Sequence, residues 1–142
     1  MTMLKKLEEI YIGYEEAVAA VYRNAKPADG LFGWGEDPKK DPCHMDFYEA
    51  VGKWSEDLLA AQPDRETVFR VVKFLLETPE KYRESHCFWF MFAAQGFARE
   101  LIPLLGKEQC AALLAYYDGA YPRRERLPVQ KEIYKLLKRS AK

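Results

Sequence analysis

The reactive side chains of this sequence fall mostly into two short pairs, Cys43-His44 and His86-Cys87, which hold both histidines and two of the three cysteines. Two thiols and two imidazoles are a donor set that zinc accepts. The spacing argues against it. Neighbours on a helix point about 100° apart, so an adjacent pair does not chelate one ion, and structural zinc sites separate paired ligands by two to four residues. No metal and no cofactor is expected.

Cys43 has a second chemistry open to it. It follows Asp41-Pro42, a good N-cap and a good first helical residue. A thiol in a first helical turn is favoured as thiolate by the backbone dipole. His44 beside it would supply the imidazole a nucleophile needs. Two facts oppose this. Cys43 shares a helical face with Phe47, Val51 and Trp54, which reads as a small core residue. Asp41 and Asp46 would raise a nearby thiol pKa. The sequence assigns no catalytic residue and leans against an enzyme. The acidic group Glu36, Asp37, Asp41, Asp46 and Glu49 lacks the ligand spacing of a calcium loop and reads as solvated surface. No phosphate-binding glycine loop, nucleophile elbow, metalloprotease pair or dinucleotide fingerprint occurs.

The most irregular stretch lies just before Cys43. Residues 26–41 read KPADGLFGWGEDPKKD, with Phe32 and Trp34 spaced between glycines. Long loops in small domains are uncommon and often functional. Phe32 and Trp34 either plug the end of the core or anchor a partner. With Cys43, His44 and Tyr48 on the aromatic side of the following helix, they form the candidate binding surface of a non-catalytic protein-interaction or regulatory module. The alternative is a small-molecule or thiol-using site around Trp34, Cys43 and His44.

Charge adds a further candidate surface. The net charge is zero and the pI about 6.7, which speaks against a dedicated nucleic-acid binder. Residues 1–71 carry a net −5 and residues 72–142 a net +5; the segment 119–142 alone holds eight basic and two acidic residues. Either the two halves meet within the fold, or the basic tail, with Arg123, Arg124 and Arg126 ahead of it, meets an acidic partner or phosphate. A protein partner, a second copy of the chain and a small ligand all fit this pattern; a membrane does not. Three cysteines without a framework spacing, and an N-terminus interrupted by Glu8, Glu9, Glu15 and Glu16, point to the cytoplasm.

The elements that must position these residues read as all-α. At 142 residues the chain is one domain by length. Leu4, Leu7, Tyr11, Tyr14, Val18 and Val21 stripe a helix over 3–24. Cys43, Phe47, Val51, Trp54 and Leu58 stripe a second, ending near Gln62. Asp64 caps a third, reaching about Glu77. Thr78-Pro79 opens a fourth, over about 79–102, in which Gln95 is the only strongly hydrogen-bonding side chain between Cys87 and Ala98. A helix apolar on all sides must be surrounded by protein, and this one is too short to span a membrane. A fifth helix over 107–120 and a sixth from Pro128 complete a single compact bundle of about six helices around that buried central one. No strand pattern occurs.

Overall fold

The computed structural model describes residues 2–24, 42–81, 88–121 and 126–142. Among them are six α-helices and no strand: α1 (Met3–Asn24), α2 (Pro42–Ala60), α3 (Arg65–Lys81), α4 (Phe88–Ala93), α5 (Lys107–Ala120) and α6 (Pro128–Ser140). Two 3-10 helices, Ala94–Glu100 and Ile102–Leu104, lie between α4 and α5. The fold is all-α, as the periodicities require. No helix among the described residues is long and apolar enough to cross a membrane.

The chain divides into two compact units, Met1–Ala61 with Glu84–Phe90, and Gln62–Arg83 with Met91–Lys142. In the first, α1 and α2 pair. Thr2 Oγ1 accepts the Lys5 amide at 3.1 Å and starts α1. Leu7, Tyr11, Tyr14 and Val18 of α1 and Phe47, Val51, Trp54 and Leu58 of α2 are buried. Phe47 is the hinge of this packing: it stacks on Tyr14 at 4.2 Å and takes the edge of Tyr11 at 5.1 Å. At the other end Trp54 Nε1 donates to the Met3 carbonyl at 2.7 Å. Pairing Met3 with Trp54 and Tyr14 with Phe47 makes α1 and α2 antiparallel.

In the second unit, Asp64 caps α3 as expected, its Oδ1 accepting the Thr67 amide at 2.8 Å. The expected break at Thr78-Pro79 does not occur, and α3 continues to Lys81. Pro79 has no N–H for the Leu75 carbonyl four residues back. Thr78 Oγ1 donates to that carbonyl instead, at 3.0 Å. The next carbonyl, Leu76, accepts from both Gln95 Nε2 and the Tyr121 hydroxyl. The Thr78 hydroxyl therefore replaces the bond that the proline removes, and the helix runs through it.

The apolar segment expected as one helix over 79–102 is thus divided, its start belonging to α3 and its end to α4 and the 3-10 turns. Much of it is buried: Met91, Ala94, Gln95, Ala98, Leu101 and Ile102 are fully so, whereas Ala93 is exposed and Phe97 half-buried, so the segment is not enclosed on every side. Gly96 helps fix this arrangement. A Cβ there would sit 3.3 Å from the Arg99 guanidinium and 3.7 Å from Val129 of α6. Pro103 opens the second 3-10 turn, and Leu105 becomes extended before α5. Gln109 Oε1 reaches back to the Gly106 amide at 3.0 Å, and Gln130 Oε1 to the Leu127 amide at 3.3 Å, so one glutamine starts each of α5 and α6.

Candidate functional site

Each unit presents a concave surface lined by described residues. In the first unit a groove of about 250 Å³ runs between α1 and α2. One wall is Ile10, Gly13, Tyr14 and Ala17, successive turns of one face of α1. The other is Cys43, Phe47 and Ala50, at i, i+4 and i+7 on α2. The stacked rings of Tyr14 and Phe47 form its base. Glu9 and Asp46, both exposed, stand at its edge. Neither is in an ion pair among the described residues. The groove is therefore apolar inside and acidic at the rim.

Gly13 is what opens the α1 wall. It lies in the middle of a 22-residue helix, where glycine is less favourable than alanine by about 1 kcal/mol. Among the described residues, an added Cβ there would meet nothing within 4 Å. Among the described residues no packing contact accounts for the glycine, and the space beside it belongs to the groove.

The sequence-derived candidates distribute as follows. Cys43 lies in the groove wall, half-buried. His44, one residue on, faces elsewhere and meets the edge of the Tyr48 ring at 4.6 Å, one turn along α2. Burial pushes the Tyr48 hydroxyl up to about 12. Phe47, at the groove base, touches Tyr48 at 5.7 Å. Phe32, Trp34, Arg123 and Arg124 lie outside the described residues, as do Asp41, His86 and Cys87. Ile10, Gly13 and Ala17 were not signalled by the α1 stripe. The signal that could have found them is Gly13 itself, a costly residue inside an otherwise well-formed helix.

In the second unit a groove of about 320 Å³ follows α6, lined by Arg126, Lys131, Tyr134, Lys135 and Lys138. Arg126 is anchored there, its side chain 3% exposed. Its Nε donates to the Tyr121 carbonyl at 2.9 Å, one η nitrogen donates to Asp118 at 2.7 Å, and the guanidinium lies 4.1 Å from the centre of the Tyr134 ring. Behind this surface is a closed polar cluster. Gln95, 0% exposed, donates to the Leu76 carbonyl and the Tyr121 hydroxyl and accepts from the Tyr117 hydroxyl at 3.1 Å. Burial, reinforced by Tyr121, pushes the Tyr117 hydroxyl up, and Arg126 opposes this. Cys110 is buried, with its thiol pushed up by burial. Among the described residues no group of three or more His, Cys, Asp and Glu could hold a metal ion.

Comparison of the chain with protein-family models, curated proteins and solved structures finds no match.

Proposed function

We propose that this protein is a non-catalytic interaction module whose first unit receives a basic amphipathic helix in the α1–α2 groove. The observation that carries the reading is Gly13, a destabilising residue whose only consequence among its described neighbours is open space in an apolar groove. An amphipathic helix laid on such a groove inserts apolar anchors one turn apart, and the volume suits a pair of such side chains. The rim selects the sign of the partner. Unpaired Glu9 and Asp46 would meet Lys or Arg flanking the anchors, steering encounter and repelling acidic segments. Exposed Ile12 and Met45, one on each helix, add apolar surface to this unit.

The test is a sign reversal. A Leu/Lys amphipathic peptide should bind and perturb the amide resonances of Ile10, Gly13, Ala17 and Ala50, whereas a Leu/Glu peptide of the same pattern should not. Glu9→Gln with Asp46→Asn should weaken the basic peptide and slow its association. Equal binding of both peptides, or perturbations away from these residues, would remove the proposal. A second reading, a small apolar ligand or thiol-directed site, is favoured by one observation, the Cys43 side chain in the same wall.

A further inference from the structure

The α6 groove is a separate surface with the opposite charge, and its argument is independent of the α1–α2 groove. Lys131, Lys135 and Lys138 occupy i, i+4 and i+7 of α6, so their side chains leave one face over a rise of about 10 Å. All three are exposed, and none is in an ion pair among the described residues. The neighbouring carboxylates are already paired: Asp118 with Arg126 of the groove lining, and Glu132 with Arg99. Three like charges held together on one helix repel one another, and among the described residues nothing acidic lines the groove between them.

The floor is built rather than incidental. Tyr134 lines the groove beside Lys131, Lys135 and Lys138, and Arg126 fixes its ring by stacking 4.1 Å from the centroid while bound to Tyr121 and Asp118. Arg126 therefore acts as a positioning residue, its own charge offset by Asp118. The volume is at the lower end of the range of small-ligand sites. A compact pocket on a chain of zero net charge does not resemble the broad basic face of a nucleic-acid binder. Lysine ammonium groups are strongly hydrated point charges suited to phosphate oxygens.

We propose that the α6 groove of Lys131, Tyr134, Lys135 and Lys138 binds a small soluble ligand carrying two or more linked phosphate groups. Three ammonium groups lining one groove offer charge to more than one phosphate of such a ligand. The experiment uses the full chain and tripolyphosphate as probe, followed by calorimetric titration and by thermal midpoint. Tripolyphosphate should bind with one site and raise the midpoint, whereas sulfate at equal ionic strength should not. Lys135→Gln should weaken binding about fivefold, the upper range for one exposed charge pair, and replacement of all three lysines should abolish it. Lys107→Gln, on the exposed side of α5, should leave it unchanged. Each variant should melt no lower than wild type without ligand, since removing like charges relieves repulsion, which separates loss of binding from loss of fold. An equal response to sulfate, full binding by the triple variant, or binding of a single-stranded oligonucleotide or acidic peptide without binding of tripolyphosphate would each overturn the proposal.

Discussion

Tyr117 donates its hydroxyl proton to Gln95 Oε1 at 3.1 Å, deep in the second unit, and every polar atom of that glutamine is thereby engaged. Tyr117→Phe would leave a buried carbonyl oxygen without this donor, at a cost of about 1–3 kcal/mol. Gln95→Met should cost a comparable amount, because it also takes one donor from the Leu76 carbonyl. Since the two residues share one network, the double variant should lose less than the two single losses added together. Denaturant midpoints of the four proteins in the cycle measure this; strict additivity would mean that the contact contributes nothing.

The same tyrosine sets the alkaline limit of stability. Its pKa in the folded state is raised above the ordinary value of 10.0, as is that of Tyr48, at about 12. A group with a raised folded pKa contributes stability that is complete below its unfolded pKa and is lost as pH climbs above it. Stability should therefore hold steady through neutral pH and fall above about pH 10, with Tyr117→Phe flattening that fall. Asp64 acts at the other end: the Thr67 hydrogen bonds lower its pKa, so its contribution is present above the ordinary carboxylate range and is lost on acidification below it. Thermal midpoints from pH 3 to pH 11 would display both limbs.

The passage of α3 through Pro79 depends on Thr78. Thr78→Val keeps the shape and deletes the donor to the Leu75 carbonyl, and should cost about 1–3 kcal/mol. Pro79→Ala returns a backbone N–H four residues after Leu75, so Thr78→Val should cost distinctly less in that background. Denaturant unfolding of the single and double variants compares them. The same cost in both backgrounds would show that the hydroxyl is not substituting for the missing amide.

Much of this fold could be read before any coordinates, and the failures have a common cause. Helices α5 and α6 begin where Gly106 and Pro128 mark them, because those signals are local. The boundary of α3 misleads because Thr78, which reads as an N-cap ahead of a first-turn proline, instead donates back to the Leu75 carbonyl that Pro79 leaves without an N–H. The 3-10 turns after α4 are hidden because an all-apolar run shows no face from which to distinguish their period. In the candidate site, Cys43 and Phe47 were visible as one face of α2. Ile10, Gly13 and Ala17 were not, since a groove between helices is a property of their pairing.

The two described cysteines should differ in reactivity. Cys110 is buried and its thiol pKa is raised, with the sulfur 4.0 Å from the Ile102 carbonyl. Thiolate is the reactive form, so in a Cys87→Ser background an aromatic disulfide should modify Cys43 much faster than Cys110. A bound basic peptide should protect Cys43 alone. Mass spectrometry of partly modified protein reads both sites, and unchanged Cys43 labelling with peptide bound would place the peptide elsewhere.

The central claim, that the α1–α2 groove is kept open for an occupant, is tested most directly at Gly13. Gly13→Leu introduces a good helix former where no described atom lies within 4 Å of the new Cβ, and should raise stability by about 0.5–1 kcal/mol. The same side chain fills the groove. Isothermal titration of the Leu/Lys amphipathic peptide into wild-type and Gly13→Leu protein, alongside their thermal midpoints, separates the two effects. The account predicts a more stable protein that no longer binds the peptide; a more stable protein that binds it as tightly as wild type would contradict it.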